Sequence, residues 1–153
     1  MRQAKKIQFK NFNCSKYKVG IVSAQFNADI IEGLLVSAKK MLSQYKVQPK
    51  NIRVEKVAGS IEIPLVLQQL AKTQKYDCLI AIGAIVKGET PHFDFVAKIA
   101  AEGVLRVMLD YSLPIGFGVL TANNIEQARA RTDAGGQAVE AVLNLLRVIK
   151  NIK

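Results

Sequence analysis

The stretch Asp77-Cys78-Leu79-Ile80-Ala81-Ile82-Gly83-Ala84-Ile85-Val86-Lys87-Gly88-Glu89-Thr90-Pro91-His92-Phe93-Asp94-Phe95-Val96 changes character half-way along. Residues 78–86 are almost wholly apolar and carry no charge. A short run rich in Ile and Val is the pattern of a strand buried on both faces, as in a parallel sheet. Lys87-Gly88 ends that strand. Thr90 is placed to cap a helix whose first position is Pro91, where a missing N–H costs nothing. His92, the only histidine in the chain, therefore stands where a buried strand gives way to a helix. In open α/β sheets, ligands bind at the carboxyl ends of strands, and a helix start favours anions. By position alone His92 is either an ordinary surface residue or a group facing a ligand. The neighbouring carboxylate, hydroxyl and glycine suit a polar ligand and favour the second reading.

The flanking sequence alternates strand and helix. Residues 18–23 read as a short buried strand. Asn27 or Asp29 can cap the helix that follows, where Ile30, Ile31, Leu34, Leu35, Ala38, Met41 and Leu42 recur at helical spacing. Lys39 and Lys40 fall near its far end, which suits the helix dipole. Pro49 marks a turn. Residues 52–57 alternate and predict a strand with one exposed face at the sheet edge. Ala58-Gly59-Ser60 leads into a helix over 61–72, with Pro64 tolerated only in its first turn. From His92 a helix to about 109 carries Phe95, Val96, Ile99, Ala100, Val104 and Val107 as its apolar positions. Residues 114–120 form a glycine-punctuated strand. Asn123 or Asn124 starts a short helix through Arg131. Asp133-Ala134-Gly135-Gly136 interrupts the pattern before a last amphipathic helix to about 149. The alternation predicts a three-layer α/β/α sandwich on a four-stranded parallel sheet, flavodoxin-like, in the order 2-1-3-4. Residues 16–153 make one domain. Residues 1–15 form an N-terminal arm, flexible or docked on a neighbouring subunit, with Ile7, Phe9 and Phe12 isolated among polar residues.

The chain has 153 residues, half of them hydrophobic, and a formal net charge of +10. That is long enough for a substantial core. No apolar run is long enough to span a bilayer, and no apolar run follows the basic start, so a secretory signal is not expected. The default expectation is a cytoplasmic protein without membrane partners. Cys14 and Cys78 have no metal-site spacing, and with one histidine a protein-built metal site is not expected. Residues 1–18 hold Arg2, Lys5, Lys6, Lys10, Lys16 and Lys18 with no acid. Six more basic residues lie in 39–56 against Glu55 alone. No nucleic-acid motif or interleaved aromatic platform accompanies them. A solvated basic face that draws in a phosphorylated substrate is the favoured reading.

Further blocks accompany Gly83-Ala84-Ile85-Val86-Lys87-Gly88-Glu89-Thr90-Pro91-His92-Phe93-Asp94-Phe95. They are Ser23-Ala24-Gln25-Phe26-Asn27, then Val57-Ala58-Gly59-Ser60-Ile61-Glu62-Ile63-Pro64, then Phe117-Gly118-Val119-Leu120-Thr121 followed by Glu126-Gln127-Ala128. In type, order and spacing they resemble the 6,7-dimethyl-8-ribityllumazine synthase family over roughly residues 17–146. The resemblance implies the fold above and the penultimate step of riboflavin synthesis. In that step 5-amino-6-(D-ribitylamino)uracil condenses with 3,4-dihydroxy-2-butanone 4-phosphate to the lumazine, phosphate and water, without a cofactor. It implies that Phe26 stacks on the pyrimidine and that Ser60, Ile61 and Glu62 line the ribityl chain. Ala84, Ile85 and Val86 would read the pyrimidine edge through their backbone. Glu89 and Thr90 would sit at the phosphate-bearing substrate, and His92 would carry the proton. Phe117 and Arg131 would come from the next subunit of a pentamer, Arg131 binding phosphate. Such pentamers stand alone or build a sixty-subunit shell.

Each residue also has a plainer reading: Phe26 as a loop anchor, Glu62 as a solvated first-turn residue, 84–86 as core strand, Arg131 as surface. One segment departs from the family pattern. After the phosphate-binding arginine a Gly-Thr-Lys-Ala-Gly-Asn-Lys-Gly-like segment is usual. Here Thr132-Asp133-Ala134-Gly135-Gly136-Gln137 is shorter and lacks both lysines. The alternatives are a non-catalytic flavin or lumazine carrier on the same scaffold and a basic nucleic-acid-binding domain. A carrier has no phosphate to expel, so the presence of both His92 and Arg131 weighs against it. The missing motif weighs against nucleic acid.

Overall fold

A computed structural model describes residues 7–153. Its strands are β1 (Val19–Ala24), β2 (Ile52–Val57), β3 (Cys78–Val86) and β4 (Ile115–Ala122). Its α-helices are α1 (Ala28–Gln44), α2 (Ile63–Lys72), α3 (His92–Tyr111), α4 (Ile125–Arg129) and α5 (Ala134–Ile152). The four strands form one all-parallel sheet in the order β2-β1-β3-β4, as expected. α1 and α5 pack together on one side of it, and α2 and α3 pack together on the other. Because both faces are covered, every residue of β1 and all of β3 before Val86 are buried. β2 is an edge strand, as expected; its exposure does not alternate strictly, because Arg53 and Lys56, three positions apart, are its exposed residues.

Several local expectations are corrected. Pro91 is the N-cap of α3, which begins at His92, one residue later than the capping pattern suggests. Asn27 is the N-cap of α1, but its side chain makes no cap bond. α1 continues to Gln44, so Lys39 and Lys40 precede its last turn, which holds no basic residue. Of the apolar positions expected to face the core on α3, Ala100, Val104 and Val107 are buried, whereas Phe95 is 62% exposed and Ile99 is also exposed. Among the described residues no other element covers these two side chains. Of the arm expected over 1–15, residues 1–6 lie outside the described residues. Phe12 packs edge-on against Tyr45, with the Arg147 guanidinium 4.8 Å from its ring centre, and Cys14 is buried in the core.

The largest difference is at Gly135-Gly136. The sequence reads as an interruption; the structure has both glycines in the first turn of α5. There the backbones of α1 and α5 approach too closely for side chains. A Cβ on Gly135 would collide with the Leu34 carbonyl oxygen, and one on Gly136 would lie 3.0 Å from the Ser37 carbonyl oxygen. Close helix contact, rather than backbone freedom, explains the pair. Gly135→Ala is therefore expected to lower stability by about 1–3 kcal/mol, the usual range for overpacking. Urea unfolding at fixed protein concentration should show a lower midpoint, and an unchanged midpoint contradicts the packing argument.

Candidate active site

The carboxyl ends of β1, β2 and β3 each feed a loop to the same end of the sheet. The first loop is laced to the second: the backbone N–H groups of Gln25 and Phe26 both donate to the Ala58 carbonyl, at 3.1 and 3.2 Å. The Gln25 side-chain amide donates to the Val57 carbonyl at 3.2 Å. Asn27 ties the first loop to β3, its Nδ2 donating to the Ala84 carbonyl at 3.0 Å. Asn27 has φ 64° and ψ 56°, the left-handed region. Asn is one of the few residues with a Cβ that visit it routinely. This conformation turns the chain from β1 into α1 and leaves the amide free to reach β3.

The backbone of β3 is exposed to a ligand at its end. Pairing with β1 stops at Ile82, although pairing with β4 continues to Val86. Leu79 and Lys87 donate to carbonyls on the β4 side. Alternation along the strand turns the polar groups of Ala84 and Val86 the other way, past the end of β1. The Ala84 carbonyl has Asn27 as its partner there, while Val86 lies beyond any strand on that side.

A cavity of about 450 Å³ opens at this point. It is within the range for a small-molecule site. Of the residues expected at the site, Phe26, Ser60, Ile61, Glu62, Ala84, Ile85, Val86 and His92 all line it. Phe26 is 71% exposed, with its ring laid across Gly59, where a Cβ would be only 3.2 Å from the ring edge. The Glu62 carboxylate also reaches this spot, 3.4 Å from where that Cβ would lie. Glu89 and Thr90 are exposed on the loop between Val86 and His92 but do not line the cavity. The Thr90 hydroxyl is 3.4 Å from the His92 backbone N–H, a long contact at the start of α3.

Phe117 and Arg131 stand apart from the cavity. Phe117 pairs with Ala81, three positions before Ala84 on β3. At about 3.3 Å per residue that is roughly 10 Å along the strand. Phe117 is 46% exposed. Arg131 follows α4, is exposed, and has no carboxylate within ion-pair distance among the described residues. Two residues before it, the Arg129 guanidinium lies 3.0 Å from Asp29 and holds that carboxyl below the usual carboxylate range. The sequence reading missed Asn27, taken for a cap, and Val96, taken for core; both line the cavity. An asparagine between a buried strand and a helix is compatible with either role, so the sequence alone does not separate them. Among the described residues no three His, Cys, Asp or Glu side chains gather to hold a metal.

Residues 16–151 match the family described as 6,7-dimethyl-8-ribityllumazine synthase. The chain belongs to that family. It is 42% identical over 135 residues to a Desulfovibrio desulfuricans protein named 6,7-dimethyl-8-ribityllumazine synthase, covering 87% of this chain and 86% of that one. Residues 16–151 include all four strands, the cavity-lining loops and the helices on both sides of the sheet but for the last residue of α5.

The loop geometry makes a specific demand on Asn27. Asn27→Ala loses the bond to Ala84 and leaves the β-carbon in the left-handed region without the side-chain amide that compensates it. It is expected to cost about 1–3 kcal/mol. Asn27→Gly removes the same bond but relaxes the backbone, and should cost less. Thermal unfolding of the two variants followed by circular dichroism checks the ranking. Equal losses would mean that the backbone conformation contributes nothing.

Proposed function

We propose that this chain condenses 5-amino-6-(D-ribitylamino)uracil with 3,4-dihydroxy-2-butanone 4-phosphate. The products are 6,7-dimethyl-8-ribityllumazine, inorganic phosphate and water, the penultimate step of riboflavin biosynthesis. The observation that carries the proposal is the gathering of Phe26, the 60–62 turn, the end of β3 and His92 around one cavity, in a chain of this family. The name of its relative supports a synthase rather than a carrier.

The roles follow from what the chemistry requires. The pyrimidine needs a flat apolar wall and polar groups at its edge. Phe26 and Ile61 supply the wall, and the backbone at Ala84 and Val86 supplies the edge contacts; the Ile85 backbone, expected to share that role, faces β4 instead. Ser60 and Glu62 bond the ribityl hydroxyls. An amine must add to the ketone, water must leave, phosphate must be expelled, and a second amine must close the ring with loss of water. Holding both substrates in register can account for about 7–11 kcal/mol of barrier lowering in favourable cases. His92 moves the protons: it lines the cavity, and an imidazole carries one nitrogen that donates and one that accepts. Glu89 and Thr90 act beside it at the phosphate-bearing substrate.

We assign Phe117 and Arg131 to the site of the adjoining subunit in a pentamer. Their separation from the cavity of their own chain supports this assignment. So does the exposed apolar strip of Phe95, Ile99 and Leu109 on α3, beside exposed Leu65 on α2. A strip of that kind favours contact with another protein surface. Phe12 and Cys14 pack on their own chain, so docking on that neighbour is proposed only for the part of the arm with exposed Ile7 and Phe9; a cytoplasmic location belongs to the same proposal.

Mixing the protein with both substrates and following lumazine absorbance tests the function. A rate above the spontaneous reaction is expected, undiminished by EDTA. No acceleration would leave the carrier reading. His92→Ala should lower kcat by about 10-fold or more, at or below the usual general acid–base range. An unchanged kcat at saturating substrates removes His92 from the mechanism.

A further inference from the structure

We infer that Ser37, on α1, is a positioning residue that fixes the short segment after Arg131 and so aims the arginine at the substrate phosphate. The inference rests on the assignment of Arg131 proposed above. No lysine occurs between Arg131 and Lys150, so the two basic side chains usual after this arginine have no counterpart. Arg131 is then left without the two lysines that the family pattern places after it. A lone guanidinium holds an anion best when little of its freedom is lost on binding. The structure supplies such an arrangement in the backbone rather than in extra charge.

The Ser37 hydroxyl lies 2.6 Å from the Thr132 carbonyl and 3.0 Å from the Leu34 carbonyl. It has one proton to donate, and the shorter contact, to Thr132, is the donated bond. The same oxygen accepts the Gly136 N–H at 3.0 Å. One side chain thus grips the segment at both ends, 132 and 136. The Thr132 methyl fills the space above Gly33, where a Cβ would be 2.8 Å from it. Arg131 directly precedes this clamp. Its own N–H donates to Ala128 and its carbonyl accepts from Ala134, at 3.1 and 3.0 Å. The Asp29–Arg129 pair also joins α1 to this region, but both partners are more than half exposed, and such pairs hold little. The part-buried serine is the stronger tie.

The test is a double-mutant cycle on the full chain, with steady-state kinetics varied in each substrate. Ser37→Ala should raise KM for the butanone phosphate by about fivefold, the effect of one lost hydrogen bond. The KM for the pyrimidine and kcat should stay within about twofold. Arg131→Ala should raise the same KM further. The double variant should be no worse than Arg131→Ala alone, because a residue acting through Arg131 has nothing left to act on. Should Ser37→Ala fail to fold, Ser37→Cys keeps the side chain's shape with a weaker donor and carries the same expectation. An unmoved KM, a parallel rise in both KM values, or additive effects would overturn the inference. An Arg131→Ala variant with unchanged KM would overturn the phosphate assignment itself, and that single variant tells the two failures apart.

Discussion

A strand covered on both faces constrains everything near it. The β3 backbone satisfies its polar groups through its two neighbours as far as Ile82, and its buried side chains are apolar. The strand runs four positions past its last pairing with β1 while keeping β4 as a partner to its end. At that point one side of a rigid, apolar strand presents unpaired peptide groups to an open cavity. The loops after β1 and β2 close in on it, held by backbone bonds to Ala58 and by the Asn27 amide on Ala84. A reaction that depends on holding two substrates in register needs a rigid frame, and these contacts provide one.

The same frame limits what one chain can do. Its cavity has an aromatic wall, a histidine and a carboxylate, but no cationic side chain lines it. A phosphate dianion calls for one. The exposed Arg131, tethered to α1 through the segment behind it, offers that charge on another part of the surface. The apolar exposure of α3 and the separation of Phe117 from its own cavity fit a molecule that meets copies of itself head to tail, a contact that closes into a ring.

Where a residue's surroundings were local, the sequence was legible. The limits of β2 and β3 follow from alternation and from an unbroken apolar run, and Pro64 falls in the first turn of α2 as its missing N–H requires. Eight of the twelve expected site residues meet at one cavity. Asn27 was harder, because its partner lies 57 residues away and a cap was the nearer explanation. Gly135-Gly136 looked like a break because helix propensity disfavours glycine; only the facing backbone of α1 explains the pair. Phe95 and Ile99 share the helical period of buried neighbours, and periodicity does not say whether the cover comes from the same chain or another.

The central claim is that each site is completed by the adjoining subunit. It is tested most directly by co-expressing His92→Ala chains with chains carrying both Phe117→Ala and Arg131→Ala, so that mixed rings form. Wherever the second chain offers its cavity to the first chain's Phe117 and Arg131, a complete site results. Random equal mixing makes about a quarter of the sites complete in a head-to-tail ring. Lumazine formation at roughly that fraction of the unaltered protein's rate is the predicted result. Mixed rings, confirmed by mass, with no activity beyond that of the two variants alone would contradict it.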